Sequence, residues 1–277
     1  MPERLAALGP DTVSAIARLC DESLDDPPTE ADLRASLFTP GFPVMVRGDP
    51  AQGVVASCVR EDQAYLRLLV VHPRARGQGL GSALLDAAEE DLAPAPSIMV
   101  GADAPDYLYP GVETTQVALH CLLERRHYSR GEANFNMAVD LRDLPAVPGE
   151  DAVTLARVED RDEVAPWVAA NWPNWEIEVL RCLDRGRLMV ARDRAGIVAV
   201  CCWDGARTGW VGPVAVRPAA IGQGRGRSVL IAALHQLRDS GRTRAEIGWV
   251  GPIRPYAQTV SAVVHRVFYV YRRQTAR

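Results

Sequence analysis

The chain contains no lysine: all 31 of its basic residues are arginine. A Walker-type phosphate loop, which ends in Gly-Lys-Ser/Thr, is therefore excluded, and so is acylation of a lysine side chain. Arginine in place of lysine, beside abundant Ala, Gly and Pro, matches the product of a GC-rich bacterial genome. Cysteine is sparse. The six present (Cys20, Cys58, Cys121, Cys182, Cys201 and Cys202) form no CxxC pair and no His/Cys ligand spacing. No metal is expected, and the thiols read as structural ones in a reducing cytoplasm. Cys58 and Cys201 lie in apolar runs, where a buried thiol is expected. No run approaches the ~20 apolar residues of a membrane span. The N-terminus, with Glu3 and Arg4, lacks the apolar stretch of a signal peptide. A cytoplasmic protein with no membrane partner is the expectation. Excess positive charge is missing too: the formal net charge is −4, which excludes a general nucleic-acid binder.

What is present is ordinary in amount and unusual in arrangement. With 277 residues, 48% hydrophobic and 24% charged, the chain suits one large domain or two medium ones. A repeat favours two. Val71-His72-Pro73-Arg74-Ala75-Arg76-Gly77-Gln78-Gly79-Leu80-Gly81 returns as Val216-Arg217-Pro218-Ala219-Ala220-Ile221-Gly222-Gln223-Gly224-Arg225-Gly226. The offset is 145 residues (221 minus 76), and seven of the eleven positions are identical. An apolar run precedes each copy and an amphipathic helical pattern follows it.

The elements around the copies fall in the same order. In the first half, helices are expected from Asp11 to Leu19 and from a capping-box start at Thr29 to Leu37. Strand-like runs follow at Val44–Arg47, Gly53–Arg60 and Ala64–Val71. A helix from Gly79 to Leu92 comes next, with apolar residues at helical spacing. Then come a strand at Ser97–Gly101, a helix over about Thr115–Arg126 and a strand over about Asn134–Leu141. Residues 142–150, with two prolines and a glycine, read as a linker. The second half runs strand Val153–Arg157, helices near Asp160 and Trp175–Leu183, and strands Leu188–Arg192, Ile197–Trp203 and Gly209–Val216. Helix Gly224–Asp239, strand Arg244–Val250, a helix near Tyr256–Val264 and a strand at Val267–Tyr271 complete it. The division is 1–141, linker 142–150, and 151–277, each half a mixed α/β (α+β) domain.

A glycine-rich turn that opens a helix points unsatisfied backbone N–H groups at one anion, and the helix dipole adds to the attraction. Glycines at alternate positions keep Cβ atoms away from an approaching phosphate. The expected ligand is a phosphate or pyrophosphate. A dinucleotide-binding loop reads GxGxxG at the first strand of its domain. These copies read GxGxG after the third or fourth.

Arg76-Gly77-Gln78-Gly79-Leu80-Gly81 resembles the Arg/Gln-x-x-Gly-x-Gly/Ala acyl-CoA loop of the GCN5-related N-acetyltransferases (GNAT superfamily). The preceding Leu69-Val70-Val71-His72-Pro73 resembles that family's central strand and its exit, and the following helix, strand and late helix keep family order. The chain thus resembles a bacterial-type tandem acetyltransferase, two acyl-CoA N-acyltransferase folds in series. The resemblance implies acetyl-CoA as co-substrate, without a metal. Leu69, Val70 and Val71 would lie along the pantetheine, Leu69 and Val71 through main chain, and Arg76, Gly77, Gln78, Gly79, Leu80, Gly81 and Ser82 around the diphosphate. The second copy implies a weaker counterpart at Val216, Gly222, Gln223, Gly224 and Gly226, because Ile221 replaces Arg76. A strand N–H near Val71 would steady the oxyanion. The acceptor implied is a small-molecule amine, attacking directly in a ternary complex, with no nucleic acid and a monomeric or homodimeric chain.

The family's late helix often carries a tyrosine that protonates the departing thiolate. In Leu122-Leu123-Glu124-Arg125-Arg126-His127-Tyr128 a leucine stands at its position. In the second half Pro255-Tyr256-Ala257-Gln258 places Tyr256 there, as the catalytic candidate. Glu61, Asp62, Asp106 and Glu113 are carboxylates able to take the amine's proton, none assigned. His72 reads as solvent-facing. The loop from Tyr107 to Val112 is an acceptor-side candidate or a turn held by aromatic anchors. All six tryptophans lie between Trp167 and Trp249, with Trp167, Trp172 and Trp175 either packing the core or forming an acceptor pocket. Three alternatives stand beside the enzyme, in this order: a CoA-binding sensor that has lost catalysis, an acyltransferase using another acyl-CoA, and a nucleotide-binding regulator outside the family.

Overall fold

A computed structural model describes residues 5–39, 42–149 and 153–275. Glu3 and Arg4 at the N-terminus and Glu150 of the expected linker lie outside these residues. In the first half, α1 is Val13–Asp21, α2 Glu30–Leu37, β1 Val44–Asp49, β2 Gly53–Arg60, β3 Gln63–Val71, α3 Leu80–Leu92 and β4 Ser97–Val100. A two-residue β5 (Val112–Glu113), α4 (Val117–Arg125) and β6 (Ser129–Asp140) follow. The second half has β7 (Val153–Leu155), α5 (Arg161–Asn171), α6 (Glu176–Asp184), β8 (Leu188–Asp193), β9 (Gly196–Trp203) and β10 (Trp210–Val216). It ends with α7 (Arg225–Asp239), β11 (Arg244–Val250), α8 (Ile253–Val260) and β12 (Val263–Gln274).

Two compact units result, and chain order does not divide them. The first is Met1–Asn134 with Val267–Arg277; the second is Phe135–Arg266. Each half sends its last strand to the other unit. The end of β6 pairs antiparallel with β11, Asp140 opposite Arg244, and puts Met137, Val139 and Leu141 into the second core. The end of β12 pairs antiparallel with β4, Tyr271 opposite Val100, and brings fully buried Phe268 and Tyr271 to the first unit. The sequence division at 141 and 151 differs from these units by those two strands. Apolar alternation shows that a strand is half-buried, but not which sheet it joins. The strands are also longer than their apolar stretches, and α8 stops at Val260, short of the expected Val264.

In the first unit β1, β2 and β3 are antiparallel neighbours, and β4 joins β3 in parallel. Alternation along β3 decides which side chain meets which helix. Leu68 and Val70 pack with Ile16, Leu33 and Leu37 of α1 and α2. Leu69 and Val71 face the cluster that contains Leu84, Leu85, Ala88 and Leu92 of α3. The helix start at Thr29 is a capping box: Asp32 N–H donates to Thr29 Oγ1 at 3.2 Å and Thr29 N–H to Asp32 Oδ2 at 2.9 Å. The second unit repeats this plan, with β7, β8, β9 and β10 antiparallel in turn and β11 parallel to β10. Cys58 and Cys201 are buried, and all six thiols are free. Among the described residues no helix is long and apolar enough to cross a membrane.

Candidate functional site

The site begins with a bulge. Ser57 pairs with Leu66 and Ala56 with Leu68, so Arg67 is an extra residue that bends β3. Parallel pairing with β4 covers only Ala64, Tyr65 and Leu66. A last bond from Gly101 N–H to Leu66 O, 2.8 Å long, closes it. Beyond that point β3 and β4 part. His72 N–H donates to Gln52 O at 2.8 Å, and Val70 pairs with Val54 on β2. By strand alternation the main-chain groups of Leu69 and Val71 therefore point away from β2, into the gap. They form a strand edge that pairs with neither β2 nor β4. Val70 turns its main chain to β2 and its side chain, 2% exposed, into the core.

Immediately after that edge come the glycines expected to form the anion cradle. Gly77 (φ +75) and Gly79 (φ +86) are left-handed, and a Cβ at either would meet nothing within 4 Å. Gly79 is the N-cap of α3, and the first helical bond runs from Ala83 N–H to Gly79 O at 3.1 Å. The N–H groups of Leu80, Gly81 and Ser82 precede that bond and lie at the positive end of the helix dipole. The Leu80 side chain packs into the α3 core. Gln78 Nε2 holds the loop by donating to Arg74 O at 2.9 Å. Arg76 is a strut rather than a free cation: Nε donates to Val71 O at 3.0 Å and Nη2 to Ser23 O at 2.9 Å.

Edge and cradle share one cleft of about 730 Å³, walled by Leu69, Val70 and Val71, by Arg76, Gly77, Gly79, Gly81 and Ser82, by Thr115 to Leu119 at the start of α4, and by Ser23 to Asp25. A smaller cavity of about 60 Å³ adjoins it. The two share Leu24, Asp25, Leu69, Gln116 and Leu119, and the smaller one continues to Arg67, Gly101, Tyr109 and Glu113. Sequence reasoning missed the segment Ser23 to Asp25 and the Arg67 bulge. The clue for the latter was an arginine inside an otherwise apolar strand. Arg67 is 4% exposed. Its Nε donates to Asp103 Oδ2 at 2.5 Å, and Arg60 holds Asp103 Oδ1 at 2.9 Å and Asp106 Oδ2 at 2.7 Å.

The carboxylates now separate. Glu61 and Asp62 are exposed at the β2–β3 turn and line neither cavity. Asp106 is buried in the arginine network. Glu113 lines the small cavity, and Asp25 lines both. Tyr107 is a buried anchor, 7% exposed, whereas Tyr109 lines the small cavity and donates its hydroxyl to Asp26 O at 2.8 Å. His72 sits outside the cleft against Glu22 Oε2, 3.0 Å away. His120 lies between Glu113 O and Tyr271 Oη, 2.9 Å from each. Leu123 is wholly buried, and Leu122 lines the cleft.

The second copy has the same backbone. Gly222 (φ +85) and Gly224 (φ +78) are left-handed, and Gly224 caps α7. Ser228 N–H donates to Gly224 O at 3.2 Å and Arg217 N–H to Val198 O at 2.8 Å. Parallel pairing of β10 with β11 stops at Val211. Val214 and Val216 thus match Leu69 and Val71. Tyr256, half-buried against the α7 core, has its hydroxyl pushed up to about 12 by burial, with Cys201 nearby adding to the shift.

This architecture defines the class: a splayed β3–β4 pair with a glycine cradle at the next helix, present twice. A protein-family model described as an acetyltransferase (GNAT) domain matches residues 42–128. A GCN5-related N-acetyltransferase from Sphaerobacter thermophilus superposes with a TM-score of 0.71 at 21% identity, over 100% of this chain and 98% of that one. A tandem GNAT protein from the clavulanic acid biosynthesis pathway gives 0.69 at 15% identity, over 99% and 98%. A glucosamine N-acetyltransferase region of a fungal multi-domain β-N-acetylglucosaminidase gives 0.76 at 20% identity; it covers 97% of this chain, which spans only 38% of that protein. Among curated proteins none matches. Residues 42–128 thus match the GNAT domain family, and the chain has the fold of tandem GNAT proteins throughout its length.

Proposed function

We propose that the chain is an acyl-CoA-dependent N-acetyltransferase whose first unit holds the donor. The observation that carries this is the joining of a strand edge unpaired by β2 or β4 and a left-handed glycine turn at a helix N-terminus in one cleft. Leu69 and Val71 pair with the pantetheine amides as an added strand would. The N–H groups of Gly77 to Ser82 take the diphosphate. The acyl group then lies near Leu69, where the large cleft meets the small cavity, and the amine enters from the Arg67–Glu113 side. Attack of the neutral amine on the thioester gives a tetrahedral oxyanion, which a main-chain N–H of the β3 edge stabilises. Glu113 and Asp25 are the carboxylates placed to take the ammonium proton, directly or through water. Leu123 supplies no acid, so the thiolate departs without one; a thiolate is a tolerable leaving group. Tyr256 lies in the second unit and is assigned no role in this step.

The test has two arms. Acetyl-CoA is expected to raise the thermal midpoint while ATP does not, and CoA is expected to appear when acetyl-CoA and a panel of primary amines are added. Protection by ATP alone would refute the donor assignment. Protection by acetyl-CoA without turnover on any amine would favour the sensor.

A further inference from the structure

The two cradles match, but their strand exits are tied in opposite ways. In the first unit Arg76 spans from Val71 O to Ser23 O, so a thin guanidinium links β3 to the α1–α2 connection. The connection itself contributes a small serine to the cleft wall. In the second unit the arginine position holds Ile221, which is 64% exposed and has no side-chain donor. The equivalent carbonyl, Val216 O, instead accepts from Trp172 Nε1 at 2.8 Å. Trp172 directly follows α5, at the connection corresponding to Ser23. Its indole stacks on Trp175 with ring centroids 4.8 Å apart and planes 14° apart. Both rings pack on the core that contains Ala215 of β10.

We infer that Trp172 closes the donor cleft of the second unit, so that the chain binds one acyl-CoA, in the first. This rests on the donor reading above. The groups at issue are the Val214 and Val216 edge, which a pantetheine would have to pair with as it pairs with Leu69 and Val71. An indole fixed by a hydrogen bond, a ring stack and core packing occupies the end of that edge, where the first unit keeps only Arg76 and a serine. Loss of Arg76 is not by itself the cause, because the cradle N–H groups and both left-handed glycines are retained.

Isothermal titration of the full chain with acetyl-CoA reads the outcome as a stoichiometry. One equivalent is expected, lost in Gly79→Val and kept in Gly224→Val. Trp172→Ser combined with Ile221→Arg, which opens the edge and restores the strut, is expected to take up a second equivalent. Two equivalents in the unaltered chain would overturn the inference and leave the donor reading standing. So would a single one that follows Gly224, or a folded double variant that still binds one. No equivalent at all would remove the donor reading and the inference with it.

Discussion

Gly79→Ala separates what the cradle costs the fold from what it gives the ligand. At φ +86 an alanine is in the left-handed region, worth about 1–2 kcal/mol against it. No clash adds to this, because a Cβ there meets nothing within 4 Å. For a chain of this size that is a fall of roughly 2–8 °C in thermal midpoint. The same methyl projects where the diphosphate is to lie. Displacing one hydrogen bond to a charged group costs about 1.5–3 kcal/mol, so acetyl-CoA is expected to bind about 10- to 150-fold more weakly. Gly224→Ala is the matched control, with φ +78 and equally open space. It is expected to lose the same stability and leave acetyl-CoA binding unchanged. Calorimetric melting and titration read the two quantities independently. Unchanged affinity in Gly79→Ala, or equal weakening in both variants, would refute the reasoning.

Asp103→Asn removes the main counter-charge of Arg67, whose side chain is 1% exposed; a buried cation left this way costs about 3–5 kcal/mol, measurable by urea unfolding, and a loss below about 1 kcal/mol would contradict the network's role. His127 closes α4 in the left-handed region at φ +62, so His127→Gly is expected to raise stability by about 1 kcal/mol; a lower melting temperature would show that the imidazole compensates. Tyr256 is neutral in the folded chain up to about pH 12 but ionises near its ordinary value of 10.0 when unfolded. Its contribution is therefore complete below pH 10 and lost as pH rises from there through 12, about 2–3 kcal/mol in all. Tryptophan-monitored unfolding of Tyr256→Phe should show a shallower alkaline decline; an unchanged slope would rule this out.

The cradles were legible because glycine at alternate positions before an amphipathic helix has few physical meanings, and repetition removed most of the rest. The β3 edge was legible from its apolar run and its stop at Pro73, and Leu69 and Val71 do face the gap. Arg76 was placed correctly in the chain, but its side chain turns back to Val71 and Ser23. The direction of a flexible guanidinium is set by the carbonyls in its reach, one of them 53 residues away in sequence. Arg67 passed unnoticed for a related reason: a bulge depends on the register of two strands, which neither strand states alone. The exchanged last strands stayed hidden because Phe268 and Tyr271 suit either core by hydrophobicity. For Trp172 the sequence allows core or acceptor pocket, and its bond to Val216 O puts it at a strand exit.

The most direct measurement is a crystal structure of the chain grown with acetyl-CoA. The account predicts the diphosphate within hydrogen-bonding distance of the N–H groups of Gly77 to Ser82. It also predicts the pantetheine paired with Leu69 and Val71, and the thioester at the junction with the Arg67–Glu113 cavity. A ligand bound along Val214 and Val216 instead, or a first cleft left unfilled at saturating acetyl-CoA, would contradict it.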